Sequence, residues 1–142
     1  MNQSKETPLV VRRVIPLPRE HVFDAWLDPV RLARFMRPGS TAKATAEVDA
    51  RVGGRFRIVM HHPHDSTGTE HSGEYLLIDR PARLSFTWRS INTDDRPTTV
   101  TIAFLDRDGA TEVVLTHTQL PPGQVESHRK GWSDILEKAA RG

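Results

Sequence analysis

The chain has 142 residues, of which 37% are hydrophobic, and this suffices for one globular domain with a sizeable core. Its 20 lysines and arginines against 18 aspartates and glutamates leave a net charge of +2, with no basic stripe that would predict nucleic-acid binding. The absence of cysteine excludes disulfides, a thiol nucleophile and a thiolate metal site.

No apolar run is long enough to span a membrane, and residues 1–7 lack the apolar core of a signal peptide. We therefore expect a cytoplasmic protein without a membrane partner. A single domain is predicted at residues 8–142, preceded by a disordered tail at residues 1–7.

A strand followed by two short helices is predicted for the first part of the chain. Leu9–Ile15 is rich in β-branched residues, which favours a strand, and the prolines after it end that strand. Apolar residues at helical spacing predict a helix around residues 20–27. Asp28 can cap a second helix that has Pro29 at its first position and continues to Met36.

Six more strands are predicted between residues 42 and 120. Their expected bounds are Ala42–Asp49, Arg55–His62, Glu70–Asp79, Leu84–Ser90, Thr98–Leu105 and Thr111–Leu120. Asp108-Gly109 is a strong hairpin signal, and the two glycines at 53 and 54 mark a tight turn. Consecutive strands joined by short turns favour an antiparallel meander.

One long helix with a single apolar face is predicted for Gln124–Gly142. The face repeats at steps of three and four residues and comprises Val125, His128, Trp132, Ile135, Leu136 and Ala139. Such a helix is unstable alone in water, because its apolar stripe has nothing to cover. We therefore expect the sheet to curl around this helix, with any cavity between them. The predicted fold class is α+β, with the order β-α-α-β6-α.

Several short motifs, taken in their order along the chain, carry a resemblance to a known family. They are Val22-Phe23-Asp24-Ala25-Trp26, Val52-Gly53-Gly54-Arg55-Phe56, Gly73-Glu74-Tyr75-Leu76-Leu77-Ile78, Arg83-Leu84-Ser85-Phe86-Thr87-Trp88, Leu115-Thr116-His117 and Gly131-Trp132. The chain resembles the START-like (SRPBCC, Bet v 1-like) helix-grip superfamily. Within it, the chain is most similar to the homologues of the activator of the 90-kilodalton heat-shock-protein ATPase. The resemblance implies an apolar cavity for a small hydrophobic ligand between sheet and helix.

Large side chains on inward faces are the candidates for lining that cavity. Strand alternation and helical phase select Trp26, Met36, Phe56, Ile58, Met60, Tyr75, Phe86, Trp88, Val113, Leu115, His117, Trp132 and Leu136. These residues either line a pocket or simply fill a close-packed core. Three tryptophans and several adaptable methionines favour the pocket.

His117 is the candidate for catalytic chemistry, because strand alternation places it on an inward face. A neutral imidazole there could orient a ligand carbonyl or act as a general base, assisted by Tyr75 or by an acid such as Glu74. The alternative is a buried structural histidine that is hydrogen-bonded to the backbone or to Trp132. No serine lies in a nucleophile motif.

A second histidine group lies near one polar loop. It comprises His61, His62, His64 and His71, with Asp65, Glu70 and Glu74 nearby. Imidazoles and carboxylates could together hold zinc or another divalent ion. The spacing matches no defined zinc motif, so neither a metal nor a cofactor is predicted, and a solvated loop is the simpler interpretation.

Three functions are compatible with these observations. The first is a binding module for a small hydrophobic molecule, and the second is a cyclase or hydrolase that uses the same cavity through His117. The third is a chaperone partner, which the family name implies, although nothing here matches the additional N-terminal domain with which the eukaryotic activator grips its chaperone. A homodimer paired through an exposed strand edge is a further expectation.

Overall fold

The computed structural model describes residues 8–63 and 68–141. Its elements are β1 (Leu9–Ile15), α1 (Arg19–Ala25), α2 (Pro29–Phe35), β2 (Lys43–Val48), β3 (Arg55–His61), β4 (Thr69–Asp79), β5 (Arg83–Trp88), β6 (Thr98–Arg107), β7 (Ala110–Thr118) and α3 (Val125–Ala140). Short 3-10 turns lie at Ile91–Thr93 and Pro122–Gln124. The predicted element order and the α+β fold class are confirmed. The predicted tail at residues 1–7 lies outside the described residues.

The strands of the described chain form one curled antiparallel sheet in the order β1-β7-β6-β5-β4-β3-β2. Strands β2 to β7 follow one another as the predicted meander. Strand β1 joins the opposite edge by pairing with β7, with Leu9 opposite His117 and Ile15 opposite Thr111. The helical segment between β1 and β2 therefore connects the two edge strands of the sheet.

Alternation along the strands supplies the inner face that α3 covers. In β6, Val100, Ile102 and Phe104 are buried at every second position, and β7 repeats the pattern across the pair. From the helix side, Trp132, Ile135 and Leu136 are buried against this face. The sheet thus wraps the apolar stripe that α3 could not cover alone.

The α1–α2 pair closes one side of this arrangement. The carboxylate of Asp28 accepts a hydrogen bond of 2.9 Å from the Val30 backbone N–H, which confirms the predicted cap of α2 with Pro29 at its start. Beyond α2, the Gly39 N–H donates to the Asp134 carboxylate at 2.9 Å. This bond ties the connection to α3.

Several predicted boundaries are wrong by one or two residues. Strand β3 ends at His61, one residue earlier than predicted, and His62 is exposed beyond the strand. The final helix begins at Val125 after a 3-10 turn and ends at Ala140, and Gly142 lies outside the described residues. Val59 is buried although alternation places it on the outward face, because Gly68 packs against it.

No helix in residues 8–63 and 68–141 is both long enough and apolar enough to cross a membrane.

Candidate functional site

An open cleft of about 140 Å³, here called the outer cleft, lies between α3 and the adjacent ends of β3, β4 and β5. Its lining comprises Pro38, Met60, His71, Trp88, Asn92, Ser127, His128, Gly131, Trp132 and Ile135. An engineered protein cavity of roughly 150 Å³ holds one benzene molecule, so the outer cleft is about the size of a single ring. Within the described chain, no lysine, arginine, aspartate or glutamate contributes to this lining.

A second space, here called the inner void, has a volume of about 10 Å³. It is lined by Trp26, Leu32, Met36, Phe56, Ile58, Tyr75, Phe86 and Trp88. This volume is close to the minimum of roughly 10–15 Å³ that one water needs. Trp88 lines both spaces, so its indole is the wall that the outer cleft and the inner void share.

Aromatic packing fixes the position of this shared wall. The ring centroid of Trp88 lies 4.9 Å from that of Trp132 and 4.9 Å from that of His71. On the side of the inner void it lies 6.0 Å from Phe56. Gly73 pairs with Phe56, and a Cβ atom at Gly73 would lie 2.6 Å from the Phe56 ring and 1.9 Å from the Thr87 carbonyl oxygen. Only glycine leaves room for that ring over β4.

The turn after β5 places Asn92 at the rim of the outer cleft. The Ser90 hydroxyl accepts a hydrogen bond of 3.0 Å from the Asn92 N–H. The fully buried Thr93 hydroxyl accepts one of 3.1 Å from the Ser90 N–H. This reciprocal cap holds a compact 3-10 turn.

Three buried polar atoms beside these spaces have no hydrogen-bond partner among the described residues. They are Nε1 of Trp26, Nε1 of Trp88 and Nδ1 of His71. Leaving a buried donor unpaired costs about 1–3 kcal/mol. Burial is the main cause that lowers the pKa of His71 to about 4, with nearby His128 as the second cause, so the His71 ring is neutral at pH 7. Unpaired polar groups of this kind are where a ligand or a water finds its partner.

His117 lies in a different setting, with both of its ring nitrogens bonded. Trp132 Nε1 donates to His117 Nδ1 at 3.0 Å, and His117 Nε2 lies 2.7 Å from the Thr98 hydroxyl. Because Nδ1 accepts, Nε2 carries the proton and donates to Thr98, whose hydroxyl donates to the Trp88 carbonyl at 2.6 Å. Burial is the main cause that lowers the pKa of His117 to about 3. A ring whose lone pair is already bonded is poorly placed to accept a proton from a substrate.

The other residues considered for catalysis are not arranged around His117. Tyr75 lines the inner void, whereas His117 lines neither space. Burial raises the pKa of Tyr75, and the Asp49 carboxylate raises it further, so the phenol stays protonated. Strand alternation directs Glu74 to the face opposite Tyr75, and Glu74 lines neither space.

All the predicted lining residues are buried, but they divide into two sets. Those that line the outer cleft or the inner void are Trp26, Met36, Phe56, Ile58, Met60, Tyr75, Phe86, Trp88 and Trp132. The remainder, which line neither space and belong to the packed core, are Val113, Leu115, His117 and Leu136. A role in binding a ligand stays a prediction for the residues of both sets.

Several residues of the outer cleft were not predicted as lining residues. They include Pro38, His71, Asn92, Ser127 and Gly131. Gly131 did give a signal, because glycine inside a helix is unfavourable and often marks a close approach. A Cβ atom at Gly131 would lie 3.7 Å from the Pro38 Cβ atom, so an alanine fits there and larger side chains project into the cleft. The others are brought together by the tertiary structure alone.

Among the described residues, the histidines near the polar loop do not form the cluster considered as a metal site. His71 pairs with Ile58 on the inner face, whereas Gly68 packs against His61 on the outer face. Glu70 forms a salt bridge of 3.1 Å with Arg57 instead. Residues 8–63 and 68–141 contain no group of three or more side chains placed to hold a metal. His64 and Asp65 lie outside the described residues.

Residues 16–140 match the family described as "Activator of Hsp90 ATPase homolog 1-like protein". No curated protein matches the chain. Among solved structures, protein CV1439 from Chromobacterium violaceum has a TM-score of 0.83 at 25% identity, covering 94% of this chain and 95% of that one. PFC0360w, an HSP90 activator from Plasmodium falciparum, has a TM-score of 0.72 at 27% identity, covering 92% and 91%.

CalU16 from Micromonospora echinospora has a TM-score of 0.75 at 20% identity, covering 96% of this chain and 75% of that one, and shows the shared fold alone. These matches agree with the curled sheet wrapped on α3, which is the helix-grip arrangement. Since the family match spans most of the sequence, the chain belongs to the Activator of Hsp90 ATPase homolog 1-like family.

Proposed function

We propose that the protein binds a small hydrophobic molecule at the outer cleft and the inner void. The observation that carries this proposal is Trp88, whose indole is at once the floor of a ring-sized open cleft and the wall of an aromatic void. The sites that proteins use for small molecules are concave and mostly apolar, with a few convergent polar groups. Here the polar groups of the lining include Nε1 of Trp26, Nε1 of Trp88 and Nδ1 of His71, which have no hydrogen-bond partner among the described residues.

The size of the cleft sets the expected affinity. A ligand that gains apolar contact worth about 25 cal/mol per Å² also loses several kcal/mol of translational and rotational freedom. A single-ring molecule is therefore expected to bind with a Kd on the order of 0.1–1 mM. A natural ligand that also engages the polar atoms would bind more tightly.

Native mass spectrometry of the freshly purified protein tests the proposal, followed by extraction and identification of any bound molecule. Gly131→Leu is the blocking variant, because its side chain would project from α3 into the outer cleft. Gly131→Ala is the matched control, since the added methyl group meets Pro38 at an ordinary contact distance of 3.7 Å. We expect a bound mass in the wild type and in Gly131→Ala, and its loss in Gly131→Leu.

Two results would contradict the proposal. Equal occupancy in all three proteins would place the molecule elsewhere. The second result has two parts: no bound mass, and no rise in the thermal stability of the wild type with single-ring compounds at millimolar concentration. Together they would leave the cleft without a binding function.

A second candidate function is association with a 90-kilodalton chaperone. It is supported by PFC0360w, which is called an HSP90 activator. The two proteins are 27% identical, and the match covers 92% of this chain. A pull-down with the purified chaperone, and its ATPase rate with and without this protein, test the association. Unchanged ATPase activity and no retention on the column would eliminate this candidate.

A further inference from the structure

We infer that the ligand of this site is a neutral, ring-sized molecule that presents a hydrogen-bond acceptor oxygen to the inner void. The inference rests on the proposed function, because it names the chemical class of molecule for the same site. Three properties of the lining carry it: unpaired donors, the volume of the void and the absence of charge.

The donors come from two indoles that share the wall of the inner void. Trp26 and Trp88 are each 2% exposed, and Nε1 of each has no hydrogen-bond partner in the described part of the chain. An indole N–H donates and cannot accept. A molecule that satisfies these groups must therefore offer an acceptor, and a pure hydrocarbon cannot do so.

The volume of the inner void matches one oxygen atom better than a ring. At about 10 Å³ it is close to the space of a single water, whereas the outer cleft at about 140 Å³ takes a ring. Trp88 lines both spaces, so a ligand that reaches from one into the other has to pass its side chain. The void is therefore suited to either a ligand oxygen or a resident water. A ligand oxygen predicts that an oxygenated probe binds more tightly than a hydrocarbon of the same size, whereas a resident water predicts equal affinities.

The absence of charge in the lining selects a neutral ligand. Within the described residues, neither space is lined by a lysine or arginine that would pair with a carboxylate or phosphate. A buried anion without a partner is strongly unfavourable. The titratable groups of the outer cleft are His71 and His128, and burial lowers the pKa of both, so neither supplies a positive charge at pH 7.

His71 adds a further polar atom at the same wall. Its ring lies 4.9 Å from that of Trp88, at an interplanar angle of 32°, and is 6% exposed. Its unpaired Nδ1 donates or accepts according to the tautomer. A ligand in the outer cleft therefore meets a polar group beside Trp88.

Three probes of one size separate these requirements: acetophenone, isopropylbenzene and benzoate. Acetophenone and isopropylbenzene have nearly the same shape, but only the ketone has an acceptor, and benzoate adds a negative charge. Titration calorimetry on the wild type should show acetophenone binding roughly tenfold more tightly than isopropylbenzene, which is the size of one net hydrogen bond. Benzoate should bind more weakly than either.

Variants of the tryptophans assign the preference to the donors. Trp88→Phe and Trp26→Phe each remove one unpaired N–H and retain an aromatic ring, so each should reduce the ketone preference while isopropylbenzene still binds. Retained hydrocarbon binding also shows that the variant is folded. Phe104→Leu is the control, because Phe104 is a fully buried core aromatic residue that lines neither space. It should leave the ketone preference unchanged.

The outcomes separate this inference from the proposed function. Equal affinity for ketone and hydrocarbon, or a preference that survives both Trp26→Phe and Trp88→Phe, would overturn the inference and indicate a resident water instead. Tightest binding of benzoate would overturn it as well. If Gly131→Leu still abolished probe binding, the proposed function would stand in each of these cases. No binding of any probe to the wild type would remove the proposed function and the inference together.

Discussion

Two buried histidines, His117 and His71, lie in regions that differ in how completely their polar atoms are bonded. They are 1% and 6% exposed, and burial lowers the pKa of both. Around His117, bonds run from Trp132 through the imidazole and Thr98 to the Trp88 carbonyl. Around His71, Nδ1 and the neighbouring Trp88 Nε1 have no partner among the described residues. Burial and residue type are alike, so the completeness of the bonding is what distinguishes the structural network around His117 from the proposed binding site around His71.

The two regions are joined by Trp88 and Trp132. The His117 network holds the backbone of Trp88 and the indole of Trp132, and the ring centroids of these two residues are 4.9 Å apart. The satisfied network therefore supports Trp88, and the unpaired Nδ1 of His71 belongs to a ring that packs on Trp88. Rigid support behind a site keeps its polar groups in position without using them.

The largest expected effect comes from His117→Ala. It removes the partners of Trp132 Nε1 and of the Thr98 hydroxyl and leaves a cavity, so the free energy of unfolding should fall by about 4 kcal/mol. Urea denaturation followed by circular dichroism measures this loss. His71→Ala, at the edge of an open cleft, should lose about 2 kcal/mol or less. Equal losses in the two variants would break the comparison between the regions.

Acid should destabilise the protein through both histidines. Their folded pKa values, about 4 for His71 and about 3 for His117, lie below the ordinary value of 6.5. As the pH falls below 6.5, the unfolded chain binds protons and the folded one does not, so stability is greatest above pH 6.5 and declines towards pH 4. At pH 4, His71 alone should lower the free energy of unfolding by on the order of 3 kcal/mol relative to pH 7.

Urea denaturation at a series of pH values between 7 and 4 measures this decline. His71→Phe keeps a ring against Trp88 and removes one titrating group, so its stability should depend less steeply on pH. If the stability of the variant and of the wild type depended equally on pH, His71 would bind a proton in the folded state as readily as in the unfolded chain.

A smaller effect separates two tryptophans of similar burial. Trp132→Phe leaves His117 Nδ1 without its donor, whereas Trp88→Phe removes an N–H that bonds to nothing in the described chain. We expect Trp132→Phe to lose about 1–2 kcal/mol more of the unfolding free energy than Trp88→Phe. Thermal and urea unfolding of the two variants side by side give the difference. The opposite order would mean that the Trp88 N–H has a partner in the folded protein.

The smallest effect is a gain. Gly131→Ala adds a methyl group inside α3 and meets only Pro38, so the unfolding free energy should rise by about 0.5–1 kcal/mol. Urea denaturation detects it as a higher midpoint with an unchanged slope. A gain would show that Gly131 makes α3 less stable than alanine would at this position. A loss would show that Gly131 is needed for packing.

Local patterns sufficed to predict the helices and strands and, apart from Leu32, the residues that line the inner void. Alternation of period two placed Phe56, Ile58 and Phe86 on the inner face, and helical spacing placed Trp132 on the buried stripe of α3. Asp28-Pro29 marked the start of α2 correctly. The outer cleft was not predictable in this way, because its wall combines the ends of three strands, a 3-10 turn and a helix.

The sequence by itself determined which side chains point inward and that the interior carries little charge, since both depend on neighbours within a few residues. Only the tertiary structure decided that β1 pairs with β7, and that His117 is fully bonded while His71 is not. The His117 partners are 15 and 19 residues away in the chain, and no local periodicity specifies a hydrogen bond over that separation. Two buried residues of the same type therefore differ in their hydrogen bonding because folding placed different partners beside them.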